Sequence, residues 1–351
     1  MTSPSVAVVI PFHNGSDWIE RALKSAVNQT RPPKEVIVVD DGSIELESAK
    51  LAELKAKYSF GLFSQVNAGQ SAARNLGVSI AKSDFICFLD QDDYFLPNHI
   101  ELLMNASSLE DEKFGFSYGD LLRVTEEEEI ISSTSLSSDH PLLNTHSMIS
   151  QNMHILPSAT LIKKSSFLAV GGFDESLRGY EDDDLFLRFH FSGYSICFTP
   201  KPVSAWTLNK SSTSFSESMS RSRYIYFKKL MNLAPSDYSL GESVFETALF
   251  PRFAYNFAGD VISSAIRGGR NFSDRVMRLN AFVQEVRQSK ALNKSARLKY
   301  LVATWPLLNL SSRSLAMIIR VVLKLAPLFK SLNLVLLNSF LERSSSLKKS
   351  V

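Results

Sequence analysis

Four short polar stretches carry the residue types from which a reactive site could be built: His13-Asn14, Asp40-Asp41-Gly42-Ser43, Asn67-Ala68-Gly69 and Asp90-Gln91-Asp92-Asp93. Asp90, Asp92 and Asp93 crowd three carboxylates into one loop, an arrangement that repels itself unless a cation sits nearby. Hard oxygen ligands of this kind suit Mg²⁺ or Mn²⁺ shared with a diphosphate; a solvated acidic turn is the competing account. In the second stretch a carboxylate could accept from a pyrimidine N–H or a ribose hydroxyl while Gly42 permits a tight turn, or an Asp could simply cap the next helix. Arg74, a turn beyond Asn67-Ala68-Gly69, could reach a phosphate or a base, or could be an ordinary surface arginine. A fifth acidic run, Glu181-Asp182-Asp183-Asp184, opens a helical pattern. Its acids complement the helix dipole there, and one of them could instead take a proton from an attacking hydroxyl. Spacing alone leaves both accounts open.

The elements that must position these residues alternate. Val6–Pro11, Glu35–Asp40, Leu62–Val66 and Phe85–Asp90 are short, nearly continuous apolar runs, and the segments Ser16–Gln29, Leu46–Tyr58, Ser71–Ala81 and Pro97–Ser107 between and after them are helical in pattern. Continuous apolar strands mark a sheet covered on both faces. The expectation is an α/β fold with a doubly wound, mixed but mostly parallel, Rossmann-like sheet, whose ligands bind beyond the carboxyl ends of the strands. All four polar stretches fall there. From Leu109 to Ser150 the pattern weakens into an expected hairpin and a mobile Ser-rich loop (Ser132–Ser138). Strand character returns at Ser158–Ile162, followed by Gly171-Gly172-Phe173-Asp174 and a helix from Asp182 to Phe191. The first domain is expected to span 1–214, with halves at about 1–108 and 109–214. Residues 215–351 read as a helical region interrupted at Pro235, Pro251, Pro306 and Pro327.

Composition excludes disordered and fibrous classes: 44% of the 351 residues are hydrophobic and 21% charged. Cys87 and Cys197 both lie in apolar segments, so buried free thiols are expected and a disulfide framework is not. With no export signal at the start of the chain, the expected location is cytoplasmic. The net charge of +2 conceals an imbalance, because residues 286–351 hold twelve Lys and Arg against Glu342 alone. Within it, 291–341 mixes apolar runs with spaced cations, too interrupted to span a bilayer. Two readings stay open for this region: a helix lying on the anionic cytoplasmic face of a membrane, or a subdomain packing on the catalytic domain or on a second subunit of a homo-oligomer. Nucleic acid is not an expected partner, since the cations alternate with aliphatics rather than aromatics.

Taken in order, Val8-Val9-Ile10-Pro11-Phe12-His13-Asn14, Val38-Val39-Asp40-Asp41-Gly42-Ser43, Asn67-Ala68-Gly69 through Ala73-Arg74-Asn75-Leu76-Gly77, Leu89-Asp90-Gln91-Asp92-Asp93, Gly171-Gly172-Phe173-Asp174 and Glu181-Asp182 resemble the family 2 glycosyltransferases of GT-A fold. The resemblance covers about residues 5 to 214. It implies an inverting glycosyltransferase that moves a sugar from a nucleoside-diphosphate donor, UDP foremost, to a hydroxyl of a saccharide or lipid-linked acceptor in cell-surface polysaccharide synthesis. By the same resemblance Pro11 and His13 border the nucleobase, Asp41 binds it, and Arg74 lies near the nucleotide. Asn14, Asn67 and Gly69 line the same nucleotide-sugar site. Asp90 and Asp92 contact ribose or diphosphate, and Asp92 with Asp93 holds a divalent Mn²⁺ or Mg²⁺. Asp182 is the implied general base, with Glu181 as the second candidate.

The chain departs from the family pattern twice. His13 stands where Tyr is common, and Trp206-Thr207-Leu208-Asn209 replaces an Arg-x-His pattern that assists metal or diphosphate. Two other classes fit the sequence less well. A sugar nucleotidyltransferase would need a glycine-rich basic loop after the first strand, which Phe12-His13-Asn14-Gly15 does not supply. A non-catalytic nucleotide-sugar-binding module would be expected to lack the acidic cluster or the base, and both are present.

Overall fold

A computed structural model describes residues 4–132, 140–141, 144–208, 217–233, 244–289 and 292–325, with 320–325 described by backbone alone. The chain divides into two compact units, Met1–Met148 with Asn152–Lys228, and Ile149–Gln151 with Lys229–Val351. The division falls inside a helix, Glu217–Leu233, whereas the expected boundary of 214 lies outside the described residues. That helix carries Tyr226 and Phe227, both fully buried, and Tyr226 stacks on Tyr180 at 5.4 Å between ring centroids. Aromatic burial therefore holds most of its length to the first unit.

The first unit is built on one sheet. Its elements in chain order are β1 (Val6–Phe12), α1 (Ser16–Val27), β2 (Glu35–Asp41), α2 (Glu45–Lys57), β3 (Gly61–Gln65), α3 (Gln70–Ile80), β4 (Phe85–Phe88), β5 (Tyr94–Phe95), α4 (His99–Ala106), β6 (Phe114–Val124), β7 (Ile130–Ser132), α5 (Thr145–Ser150), β8 (Thr160–Lys163), α6 (Lys164–Ala169), α7 (Glu181–Phe191), β9 (Ser195–Thr207) and α8 (Glu217–Leu233). The strands are ordered β3-β2-β1-β4-β8-β6-β9-β5, with β7 paired to β6. β3, β2, β1 and β4 run parallel, β8 is antiparallel to both neighbours, and β6 and β9 are parallel again. The chain winds outward from β1 through β2 to β3, then returns to pair β4 on the other side of β1. Such a reversal opens a crevice at the strand ends, where ligands bind. Every residue of β1 is buried, as the unbroken apolar run predicts for a strand covered on both faces.

Helix α3 sits unusually close to this sheet. A Cβ on Gly77 would meet Val9 Cγ1 at 2.3 Å, so only glycine allows the helix to lie this near β1. The weak pattern expected between Leu109 and Ser150 proves to contain β6, an eleven-residue strand buried along most of its length, with β7 as its hairpin partner. Its polar residues disguise it. Ser117 is buried but donates to Leu103 O, and a Cβ on Gly119 would strike Val203 of β9. Residues 133–139, most of the expected Ser-rich loop, lie outside the described part. Both cysteines are free thiols, with Cys87 buried and Cys197 partly so.

Among the described residues the second unit is helical. A π-helical turn (Phe245–Leu249) leads into α9 (Phe250–Ile266), followed by α10 (Phe272–Gln288), α11 (Lys294–Asn309) and α12 (Ser312–Leu325). Its core is aromatic: Phe282 lies 6.1 Å from Phe250 and 5.4 Å from Phe257. Pro251 is the second residue of α9, directly after the π-helical turn, and does not interrupt the helical run. Pro306 lies inside α11 without ending it, and Pro235 and Pro327 fall outside the described residues.

Candidate functional site

The loops at the carboxyl edge of β1, β2 and β3 are tied into one another. Asp41, 4% exposed, accepts from Ala68 N and Gly69 N at 2.8 Å each and from Gln65 Nε2 at 2.7 Å. Its carboxylate shapes the Asn67-Ala68-Gly69 loop, a service the sequence did not foretell. Asp40 accepts from Ser43 N and Ser48 Oγ, the local capping alternative. Gly42 takes φ +70°, and a Cβ there would meet Asn67 N at 2.7 Å, so this turn requires glycine. His13 and Asn14 are exposed and Pro11 is buried within β1 beneath them. The His13 ring lies with Nδ1 3.0 Å from Asp41 O and Nε2 3.1 Å from Asn14 Nδ2, and the Asn67 amide approaches at 3.3 Å. A neutral imidazole with its proton on Nδ1 satisfies the first two contacts together. Asn14 in turn accepts from Ile44 N and donates its own N–H to Ser43 Oγ. The structure therefore brings His13, Asn14, Asp41, Asn67 and Gly69 together.

The acidic loop after β4 divides its carboxylates between different tasks. Asp90 accepts from Gln70 Nε2 at 2.8 Å and forms a 2.5 Å ion pair with Arg74. Asp92 is partly exposed, and its carbonyl accepts from Arg21, whose guanidinium also donates to Thr207 Oγ1. Asp93, 2% exposed, faces inward: Oδ2 accepts from Ser158 Oγ at 3.0 Å and Oδ1 from Thr207 N at 2.9 Å. Burial, reinforced by Asp92 and Asp90, pushes its carboxyl well above the usual carboxylate range. Of the expected pair Asp92 and Asp93, the second is therefore the more enclosed. Asp93 fastens the acidic loop to β9 and to the turn before β8, and both of its oxygens are engaged in doing so. Among the described residues no group of three or more His, Cys, Asp or Glu is arranged to hold a metal, and Asp90 and Asp92 are the more open carboxylates of the loop.

Arg74 is a buried hub rather than a surface arginine. It is fully enclosed, pairs Asp90 through Nη2, lies 3.6 Å from Glu181 through Nη1, and covers the Phe173 ring at 5.1 Å. Burial disfavours its charge, but Asp90, Glu181 and Asp182 outweigh that cost and its pKa rises. One side chain thus connects the strand-end loops to the start of α7.

At that start Tyr180 takes a left-handed conformation, φ +66°, and turns the chain into the helix. The four acids then diverge. Glu181 accepts from Gly179 N at 2.7 Å, Asp183 from Met153 N at 3.1 Å, and Asp184 pairs with Arg188, which also donates to Gly172 O. Asp182 accepts a short-range bond from Asp183 N. Enclosure, with Asp183 and Glu181 adjacent, pushes the Asp182 carboxyl well above its ordinary range, against the opposing pull of Arg74. A raised carboxyl of this kind is a stronger proton acceptor than a solvated one. Of the two expected candidates, Asp182 is the one whose carboxyl is raised, while Glu181 accepts from Gly179 N and lies beside Arg74.

Several residues escaped the sequence reading. Asn75 exchanges two 2.9 Å bonds with the backbone of Phe173, anchoring the Gly171-Gly172-Phe173-Asp174 loop to α3. Gln91 does the same for His13, accepting from its N–H at 2.8 Å and donating to its carbonyl at 3.2 Å. Arg178, exposed, lays its guanidinium along Gly69, 3.6 Å from where a Cβ would stand. Asn75 and Gln91 sit inside quoted motifs, so their proximity was visible, but a side-chain amide pairing with a distant backbone has no linear signal. Asn209 lies outside the described residues.

Comparison with known proteins agrees with this geometry. Residues 7–169 match the family model described as glycosyl transferase family 2, and residues 150–210 match the one described as N-terminal domain of galactosyltransferase. Among curated relatives, an uncharacterized glycosyltransferase of Rickettsia bellii is 35% identical over 38% of this chain and 19% of its own length. The cholesterol galactosyltransferase of Borreliella burgdorferi is 41% identical over 29% of each chain. This chain spans less than two thirds of the length of the curated relatives it matches. The structure of Staphylococcus aureus TarS 1-349 in complex with UDP-GlcNAc superposes with a TM-score of 0.61 at 16% identity, over 89% of this chain and 88% of that one. The likeness extends the common fold, as expected of GT-A type with a helical C-terminal region, across both units.

Proposed function

Since residues 7–169 belong to glycosyl transferase family 2, we propose that the chain is an inverting glycosyltransferase that moves a sugar from a UDP-sugar to a hydroxyl of a saccharide or lipid-linked acceptor. The observation that carries the reading is Arg74. Its pairing with Asp90 on one side and Glu181 on the other sets the base-bearing turn of α7 against the donor edge. His13 and Asn67 offer a polar and planar surface for the nucleobase above Pro11, and Asp41 acts by holding the loop that frames it. Support for UDP comes from the similar TarS structure solved with UDP-GlcNAc, and support for a lipid-borne hydroxyl from the relative named for cholesterol galactosylation.

In the proposed reaction Asp182 accepts the acceptor's hydroxyl proton as that oxygen bonds to the anomeric carbon. The bond from that carbon to the diphosphate breaks on the opposite face, the configuration inverts, and UDP departs. Holding the oxygen and the anomeric carbon in line removes much of the entropic barrier. A divalent cation, Mg²⁺ or Mn²⁺, held by Asp92 with Asp90 and the diphosphate, would neutralise charge on the leaving group. Arg178 is placed to do part of that work. Arg74 is enclosed between Asp90 and Glu181, and Arg21 faces Asp92 O, Thr207 and Glu128, while Arg178 lies open beside Gly69. Synthesis of cell-surface polysaccharide is the setting we favour.

Calorimetric titration with UDP, GDP and dTDP, with and without Mn²⁺, tests the donor site. Metal-dependent binding of UDP alone is expected, and it should survive in Asp93→Ala and weaken in Asp92→Ala. No nucleotide binding by the folded protein would overturn the reading.

A further inference from the structure

In the second unit α11 is apolar on two opposite sides. Tyr300, Thr304 and Leu307 face inward, with Tyr300 6.4 Å from both Phe250 and Phe282 and the other two buried. Leu298, Val302 and Trp305 recur at the same helical spacing on the other side, and are 61%, 65% and 64% exposed. One apolar stripe is accounted for by the core. The second continues into an open groove of about 690 Å³ between α10 and α11, lined among others by Met277, Leu301, Trp305 and Leu308, with Arg287 at its edge. Met277 is 63% exposed as well.

The charges around this face say what would cover it. Lys294 precedes the stripe by one turn and Lys299 flanks it, both exposed. Arg287 lines the groove beside them. A second copy placed face to face would set these cations against their own kind, which like-charge repulsion opposes. A surface that is both anionic and apolar just below its charge satisfies both features at once. Tryptophan prefers such an interface, and lysine reaches its charge outward while burying its stem. No helix among the described residues is long and apolar enough to cross a membrane, so contact by this face would be lateral.

We propose that the outer face of α11, centred on Leu298, Val302 and Trp305 and bounded by Lys294 and Lys299, docks on the surface of an anionic lipid bilayer. The proposal goes beyond the transfer reading and stands or falls independently of it, because vesicle binding and nucleotide binding are measured separately. The full chain is sedimented with vesicles of phosphatidylglycerol and phosphatidylcholine, and with phosphatidylcholine alone, at low and high salt. Binding to the anionic vesicles alone, weakened by salt, is expected. The triple variant Leu298→Ser, Val302→Ser, Trp305→Ser should reduce the partition coefficient by about tenfold or more while its circular dichroism is unchanged. Lys294→Glu with Lys299→Glu leaves the apolar stripe intact and should also reduce it, by about tenfold. Failure to bind anionic vesicles, or equal binding by parent and both variants, overturns the proposal. So does a parent dimer that the triple variant converts to monomer, since a second copy would then be the occupant.

Discussion

The strand-end loops of the first unit and the outer face of α11 in the second are both rich in charge, yet they use it in opposite ways. At the strand ends nearly every ionised group is matched inside the protein: Asp41 by two amides, Asp93 by Ser158 and Thr207, Arg74 by Asp90 and Glu181. Around α11, Lys294 and Lys299 point outward beside uncovered apolar side chains. Internal matching fixes positions before a ligand arrives, as the transition state of a small-molecule reaction requires. Unmatched cations beside exposed Leu and Trp fix nothing by themselves and suit a partner that is broad and deformable. Substitutions should therefore cost reactivity or folding in the first region and neither in the second.

The largest effect should come from Asp182→Asn, which removes the proton acceptor without changing its shape. Transfer rate is expected to fall by about 10² to 10⁴-fold with the melting temperature unchanged. The pH profile gives an independent readout. A base must be deprotonated, so kcat/KM falls as pH drops through its pKa, and because the Asp182 carboxyl is raised, that acid limb should lie above the range of a solvated aspartate. Arg74→Met should come next. It leaves Asp90 and Glu181 without their shared cation in an enclosed setting, and urea unfolding should show a loss of about 3 kcal/mol together with loss of transfer. Asp93→Ala strands the Ser158 hydroxyl and the Thr207 N–H. A cost of about 1–3 kcal/mol in unfolding is expected, with UDP affinity retained; loss of nucleotide binding without loss of stability would instead make Asp93 a ligand group. Arg178→Ala should weaken UDP binding about tenfold, equivalent to about 1.4 kcal/mol, and leave stability untouched. At the far end, Trp305→Ser is expected to change stability by no more than about 0.5 kcal/mol, as measured by the same urea unfolding. A large loss there would erase the contrast between the regions.

The sheet up to β4 and the helices between its strands were readable to within a residue or two, because continuous apolar runs have no competing explanation. The helical second unit was readable from helical segments punctuated by prolines. The central strand β6 was not, since Ser117, Gly119 and Asp120 break the hydrophobic signal, and Leu103 O and Val203, which accommodate the first two, are not adjacent in sequence. The motif residues assemble as a group at one edge, but what each one touches was largely hidden. Asp93 and Asp92 are adjacent carboxylates in sequence, and only the fold shows that Asp93 faces Ser158 while its neighbour remains partly open. Likewise the alternatives for Arg74, phosphate contact or surface arginine, both missed its burial between two acids, which depends on where α7 docks rather than on spacing within α3.

The close seating of α3 on β1 has a mechanical consequence. This helix begins at the loop framed by Asp41, carries Arg74 in its second turn and, through Asn75, grips the strand of backbone that leads to α7. Its height above the sheet is set at Gly77, about one turn beyond Arg74, where the helix meets Val9. A single methyl group at that position would act as a shim, tilting nucleotide loop, arginine and base turn together. The alignment of the whole site is thus calibrated by the absence of a side chain.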